Sequence, residues 1–251
     1  MYNKNDYKSQ YTAVSDEYGN YGQAPVVAGA SPTTRAAFLR KVYITLTAGV
    51  AVSMLTGLGF VYHAATNENS IVRMMLASRG NMMVLFLAYL ALSFLVGSLV
   101  QKRGINVLAY LFFTAFTGFF ISPMLFVAAA STNSLTVIWQ ALGLTVFTFG
   151  GLSTYVLVSG KDFAFMKGFL WTGFWVLVGF MVVGLFYQSW AFQMGVSAAG
   201  LLVFAGFVLY HTSEIMHRYG PGDWVAGAFS LFIDFINMFI RILFLLMGRR
   251  D

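Results

Sequence analysis

Between Gly104 and Gly160 the chain runs for 57 residues without a charged side chain or a histidine. That run is too long for one helix and too apolar for a soluble surface. An ordinary globular domain carries roughly 25% charged residues. Here they make up 10%, against 59% apolar residues and a mean hydropathy of +0.73. A soluble fold of 251 residues needs far more polar surface. Soluble enzymes, disordered tail proteins and secreted disulfide scaffolds are therefore excluded. With no cysteine there is no disulfide framework, thiolate metal site or cysteine nucleophile. The chain is expected in a lipid bilayer. Its net charge of +6 would raise nucleic acid in a soluble protein. Here the 15 Lys and Arg lie mostly in tails and between apolar blocks, as topology signals do, and no nucleic-acid partner is expected.

Crossing ~30 Å of hydrocarbon takes about 20 helical residues. Apolar blocks of that length predict an all-α membrane protein with seven transmembrane helices. They cover 42–62, 82–100, 107–130, 135–158, two spans within 168–210, and 224–247. Ser131, Thr132, Asn133 and Ser134 break the long run; Gln188, Ser189 and Trp190 break the next. Residues 1–40 show no apolar period and are expected to form a flexible cytoplasmic tail, with 41–248 as the seven-helix domain. Bases cluster in Arg35, Arg40 and Lys41, in the 101–106 and 159–167 links and at Arg218, whereas the 131–134 and 188–190 links have none. The positive-inside rule places the N-terminus in the cytoplasm. Arg73 and Arg79 dissent but are outnumbered. Trp139, Trp190 and Trp224 stand at block edges as interfacial anchors. Ser93 with Gly97, and Gly195 with Ala199, have the small-residue spacing of close helix contacts, and Pro123 is expected to kink span three.

The seventh block, AFSLFIDFINMFIRILFLLMG, holds ionisable groups at bilayer depth. At about 100° per residue, Gly227, Ser230, Asp234, Asn237 and Arg241 share a sector of roughly 80°. A charge at the bilayer centre costs ~2.5–3.5 kcal/mol even on the lenient insertion scale. That stripe must face protein or water, so the helix is expected to be buried with the stripe on an internal path. Two readings stand. Asp234 and Arg241, about 10 Å apart along the axis, neutralise each other as packing elements. Alternatively the stripe lines an ion or proton pathway, with Arg241 as a fixed counter-charge. His211 ends span six at a depth within reach of Asp234, so it either pairs with that acid or snorkels to the interface. The string Gly220-Pro221-Gly222-Asp223 matches the GxGD motif of intramembrane aspartyl proteases. A second aspartate on a facing helix is missing, so Asp223 is expected to cap helix seven instead. No enzymatic site is found, and no cofactor is expected.

Four segments carry a resemblance. They are RAAFLRKVYITLTAGV at 35–50, TAFTGFFISPMLF at 114–126, TFGGLSTYVLVSGKDFAFMKGFL at 148–170, and LYHTSEIMH at 209–217 with LFIDFINMFIRIL at 231–243. In these the chain resembles the Bax inhibitor family over its whole membrane region. The resemblance implies seven helices with the seventh central, surrounded by the other six. It also implies a pH-sensitive cation leak, best known for calcium, in which two aspartates gate the pore. Asp234 matches the aspartate of the seventh helix. At the other the family has Tyr-Asp-Thr and this chain has Tyr-His-Thr, which puts His211 there and removes a negative charge. Asp234 is then at most a weak calcium site, calcium being the transported ion. Some bacterial relatives lack both acids and regulate a membrane protease.

The leading expectation is a pH-sensitive cation leak along helix seven, with Ser230, Asp234, Asn237 and Arg241 on the path and His211 beside it. The alternative is a non-transporting protein that binds and modulates another membrane protein, such as a protease or stress regulator.

Overall fold

The computed structural model describes residues 26–248, apart from 133 and 188. The tail up to residue 25, Asn133, Gln188 and the terminal Arg249, Arg250 and Asp251 lie outside the described residues. Seven helices are long and apolar enough to cross a membrane. They are α1 (Pro32–Thr66), α2 (Arg79–Leu99), α3 (Asn106–Thr132), α4 (Thr136–Ser159), α5 (Lys167–Phe186), α6 (Trp190–His217) and α7 (Trp224–Met247). A six-residue helix, Ile71–Leu76, and two single 3-10 turns complete the order, and there are no strands among the described residues.

Boundaries follow local chemistry. Ser31 caps α1, its hydroxyl accepting the Thr34 N–H at 3.3 Å, with Pro32 in the first turn. The helix thus starts ten residues before the first apolar block, inside the stretch expected to be tail. At 35 residues α1 is about 52 Å long, so its first turns, with Arg35, Arg40 and Lys41, extend beyond the ~30 Å of hydrocarbon. Gly160 ends α4 in the left-handed region at φ 63°, as a helix-closing glycine does. Pro123 sits inside α3. Its missing N–H frees the Phe119 carbonyl, and the Ser122 hydroxyl donates to that oxygen at 2.7 Å, so the helix continues. Asp223 takes the N-cap position of α7 without capping it. Its carboxylate accepts the Gly220 N–H behind it at 3.0 Å and so closes the Pro-Gly turn.

The closest helix approach is α1 on α3. A Cβ at Gly118 would strike the Ser53 carbonyl oxygen and lie 3.0 Å from the Gly57 nitrogen. The expected small-residue pairs contribute less: Gly97 leaves room for Phe229 at 3.5 Å, and nothing stands near Gly195. The α1 contact had its own signal in Gly49, Ser53 and Gly57, spaced four apart. The backbone of α7 packs on α1, α3, α4 and α6. From α2 it meets Gly97 through Phe229, and from α5 it meets Met181 through Arg241. Its span is the most buried of the seven. Phe232 and Phe229 pack edge-on or tilted against Tyr110 and Phe113 of α3, and Phe235 meets Phe149 of α4 at 5.5 Å. Apolar side chains of the outer helices, such as Phe147, Phe169 and Leu202, remain exposed, as a lipid-facing surface requires.

Candidate functional site

Loop contacts gather one end of the bundle. The Val27 N–H donates to the Tyr219 carbonyl at 2.9 Å, Arg218 pairs with Asp162 at 2.8 Å, and Arg103 lies against Gly222. The segment before α1 and the α2–α3, α4–α5 and α6–α7 loops therefore share this end. It is the end with most of the bases.

Asp234 sits ten residues into α7, about 15 Å from its first turn. It is only 1% exposed. Its Oδ2 lies 2.7 Å from Nδ1 of His211, six residues before the end of α6. With the carboxylate ionised, the ring Nδ1–H donates to it. Phe207 stacks on the imidazole at 5.5 Å and 20°, and Tyr210 flanks it at 5.1 Å, so the ring is held by its neighbours. Of the two readings of His211, the structure brings it to Asp234, with its side chain 21% exposed.

The rest of the stripe divides. Ser230 donates to the Ala226 carbonyl at 3.2 Å and Asn237 to the Ile233 carbonyl at 2.9 Å, so both turn back on their own helix. Both lie on the half-buried flank of α7, whereas Gly227, Asp234 and Arg241 lie on the buried one. Arg241 makes no ion pair with Asp234. Its guanidinium crosses Gly200 of α6, and Nη2 reaches the sulfur of Met181 on α5 at 3.7 Å. Among the described residues no group of three or more His, Cys, Asp or Glu is placed to hold a metal ion. His211 and Asp234 together offer two ligand side chains.

Two features escaped the sequence reading. Tyr43 of α1 brings a buried hydroxyl beside Ser153 of α4 and Thr212 of α6, without closing a hydrogen bond to either. Ser153 and Thr212 are themselves 3.4 Å apart, one residue along from His211. Below them Asp162 binds both guanidinium nitrogens of Arg218, at 2.8 and 3.3 Å, and accepts from Ser213 and the Ala164 N–H. The Phe163 N–H donates to Ser213 at 2.9 Å. Arg218 and these donors hold the Asp162 carboxyl at about 2, below the ordinary carboxylate range. The Ser-Gly-Lys-Asp-Phe string was visible, but its partner on α6 was not.

Seven apolar helices, two of them joined by a histidine–aspartate pair, define a multi-pass membrane protein with a titratable group at bilayer depth. Residues 35–251 match the family profile described as inhibitor of apoptosis-promoting Bax1. The chain is 34% identical over 234 residues to "Protein lifeguard 4" of Mus musculus, covering 92% of each. It is 31% identical over 242 residues to "Golgi anti-apoptotic protein" of Vaccinia virus (strain Lister), covering 95% of each. It is 31% identical over 220 residues to "Bax inhibitor 1" of Schizosaccharomyces pombe, covering 86% of this chain and 78% of that one. The chain belongs to the Bax inhibitor family.

Proposed function

We propose that the protein is a pH-sensitive cation leak of the Bax inhibitor type, with a path along α7 and no enzymatic step. The observation that carries this reading is the His211–Asp234 pair. Asp234 is the deepest acid of the described spans, Glu214 lying three residues from the end of α6, and its partner is the side chain whose charge changes near neutral pH. Asp234 attracts the cation, and His211 decides whether its charge is free. Calcium is the ion the family resemblance implies, and Asp234 would hold it weakly. Ser230 and Asn237, on the half-buried flank, offer neutral oxygens along the same face. Arg241 stands deeper as a fixed positive charge. The end carrying Ser31 faces the cytoplasm of a bacterial inner membrane, which suits the eight Lys and Arg of the described residues gathered there against two at the other end.

Ion flux into liposomes holding the purified protein, beside Asp234→Asn, tests this. Flux that the substitution abolishes supports the leak. Absence of flux from the wild type would shift the reading to a protein that modulates a membrane partner.

A further inference from the structure

Arg241 carries a positive charge, is only 9% exposed, and pairs with no acid among the described residues. Among the described residues, ion pairs join only His211 to Asp234 and Arg218 to Asp162. Asp234 is seven residues back and engaged by His211, and Asn237 has turned its amide to the Ile233 carbonyl. Beyond Asp234 toward the far end of the bundle, the described residues hold one other acid, Glu68 in the α1–α2 link, with no ion pair to Arg241. The Nε of Arg241 is buried without an acceptor, and Nη2 has only the thioether sulfur of Met181, a weak one.

The guanidinium nonetheless lies in a fitted seat. A Cβ at Gly200 would come 2.8 Å from Nε, 3.2 Å from Cδ and 3.3 Å from Cζ, so glycine is what leaves space for it. Helix α5 packs on α6 and on the adjoining 3-10 turn, and the neighbours of Met181, Phe180 and Val182, are exposed. Arg241 is six residues from Met247, about 9 Å from the end of α7. A planar fork of N–H donors matches two oxygens of one tetrahedral anion, and an uncompensated guanidinium at this depth draws in such a group.

We propose that Arg241, seated on Gly200 between α5 and α6, binds a phosphate group entering from the far side of the membrane. A phospholipid headgroup and free phosphate share that chemistry. The inference does not rest on the leak.

Native mass spectrometry of the full-length protein tests it, after incubation with phosphatidylglycerol or with diacylglycerol, which has the same tails and no phosphate. Thermal unfolding with inorganic phosphate is the second arm. Wild type is expected to retain one more phosphatidylglycerol than Arg241→Met and to show no such retention of diacylglycerol. Gly200→Ala, which leaves Arg241 in place but fills its seat, is expected to lose the same lipid. Lys102→Gln, a base at the other end, should keep the wild-type count. A rise in wild-type Tm with inorganic phosphate, absent in Gly200→Ala and without lipid retention, would identify free phosphate as the source. Equal lipid counts in wild type, Arg241→Met and Gly200→Ala, with equal responses to phosphate, would overturn the site, as would diacylglycerol retained as well as phosphatidylglycerol.

Discussion

At the residue scale, one carboxylate and one imidazole account for the proposed control of the leak. Below its pKa, His211 is charged and pairs with Asp234, which neutralises the acid and ties α6 to α7. As pH rises through that pKa the pair loses its positive member and the charge of the carboxylate is left unbalanced to attract a cation. The leak is therefore expected to be larger at alkaline than at acidic pH, and the stabilisation from the pair follows the opposite course, present at low pH and lost at high pH. The groups facing His211 are Asp234 across the helix contact and Glu214 one turn along α6. His211→Ala should flatten the pH profile measured in liposomes, and His211→Asp should rebuild a two-acid site with stronger calcium binding. A wild-type leak that grows on acidification would sink this mechanism. Asp234→Asn keeps the shape of the side chain and should cut flux at alkaline pH by about tenfold or more, the equivalent of ~1.4 kcal/mol of lost attraction. His211, Asp234 and their separation in depth were legible in the sequence, because helical rise converts residue counts into ångströms. The isolation of Arg241 was not. Residue counts place it on the Asp234 face, but whether the side chain turns toward that acid or across Gly200 depends on a neighbouring helix.

Between elements, the firmest contacts lie where side chains are smallest. Gly118→Ala pushes a methyl group into the Ser53 carbonyl and should cost ~1–3 kcal/mol in thermal unfolding. Gly59→Ala, with open space around it, should be neutral or stabilising. Equal effects at the two positions would show that α1 and α3 do not depend on this approach. The α4–α5 loop is held differently, by Asp162 on α6 residues. Its carboxyl is depressed to about 2 from an ordinary 3.8, so the contribution is present above the ordinary value and lost as pH falls through about 2. Asp162 and Arg218 are nearly half exposed, at 46% and 42%, and solvent screening keeps the pair to about 1 kcal/mol or less. Asp162→Asn should speed hydrogen exchange at the Phe163 and Ala164 amides while leaving the global Tm nearly unchanged. Unchanged exchange at those amides would mean that Ser213 alone holds the loop.

For the whole molecule, the arrangement of ends follows from seven crossings. The contacts of Val27 with Tyr219, Asp162 with Arg218 and Arg103 with Gly222 gather alternate loops on one side, so α1 and α7 run in the same direction. With the N-terminus proposed to be cytoplasmic, a tag there should be shielded in intact cells and a tag at the C-terminus accessible from outside. A C-terminal tag found in the cytoplasm would contradict seven full crossings in the cell.

Span number, span type and the polar stripe of α7 are properties of the sequence alone. An uncharged run must leave water, its length is measured against a fixed bilayer thickness, and a stripe needs only the helical repeat. Tertiary structure decided which polar groups meet. His211 finds Asp234 across α6 and α7, Asp162 finds Arg218 across 56 residues, and Arg241 lies against Gly200 and Met181. Such partners are chosen by helix rotation and close approach. Those depend on where glycines and aromatic rings from distant segments fit together, which no local period of the sequence encodes.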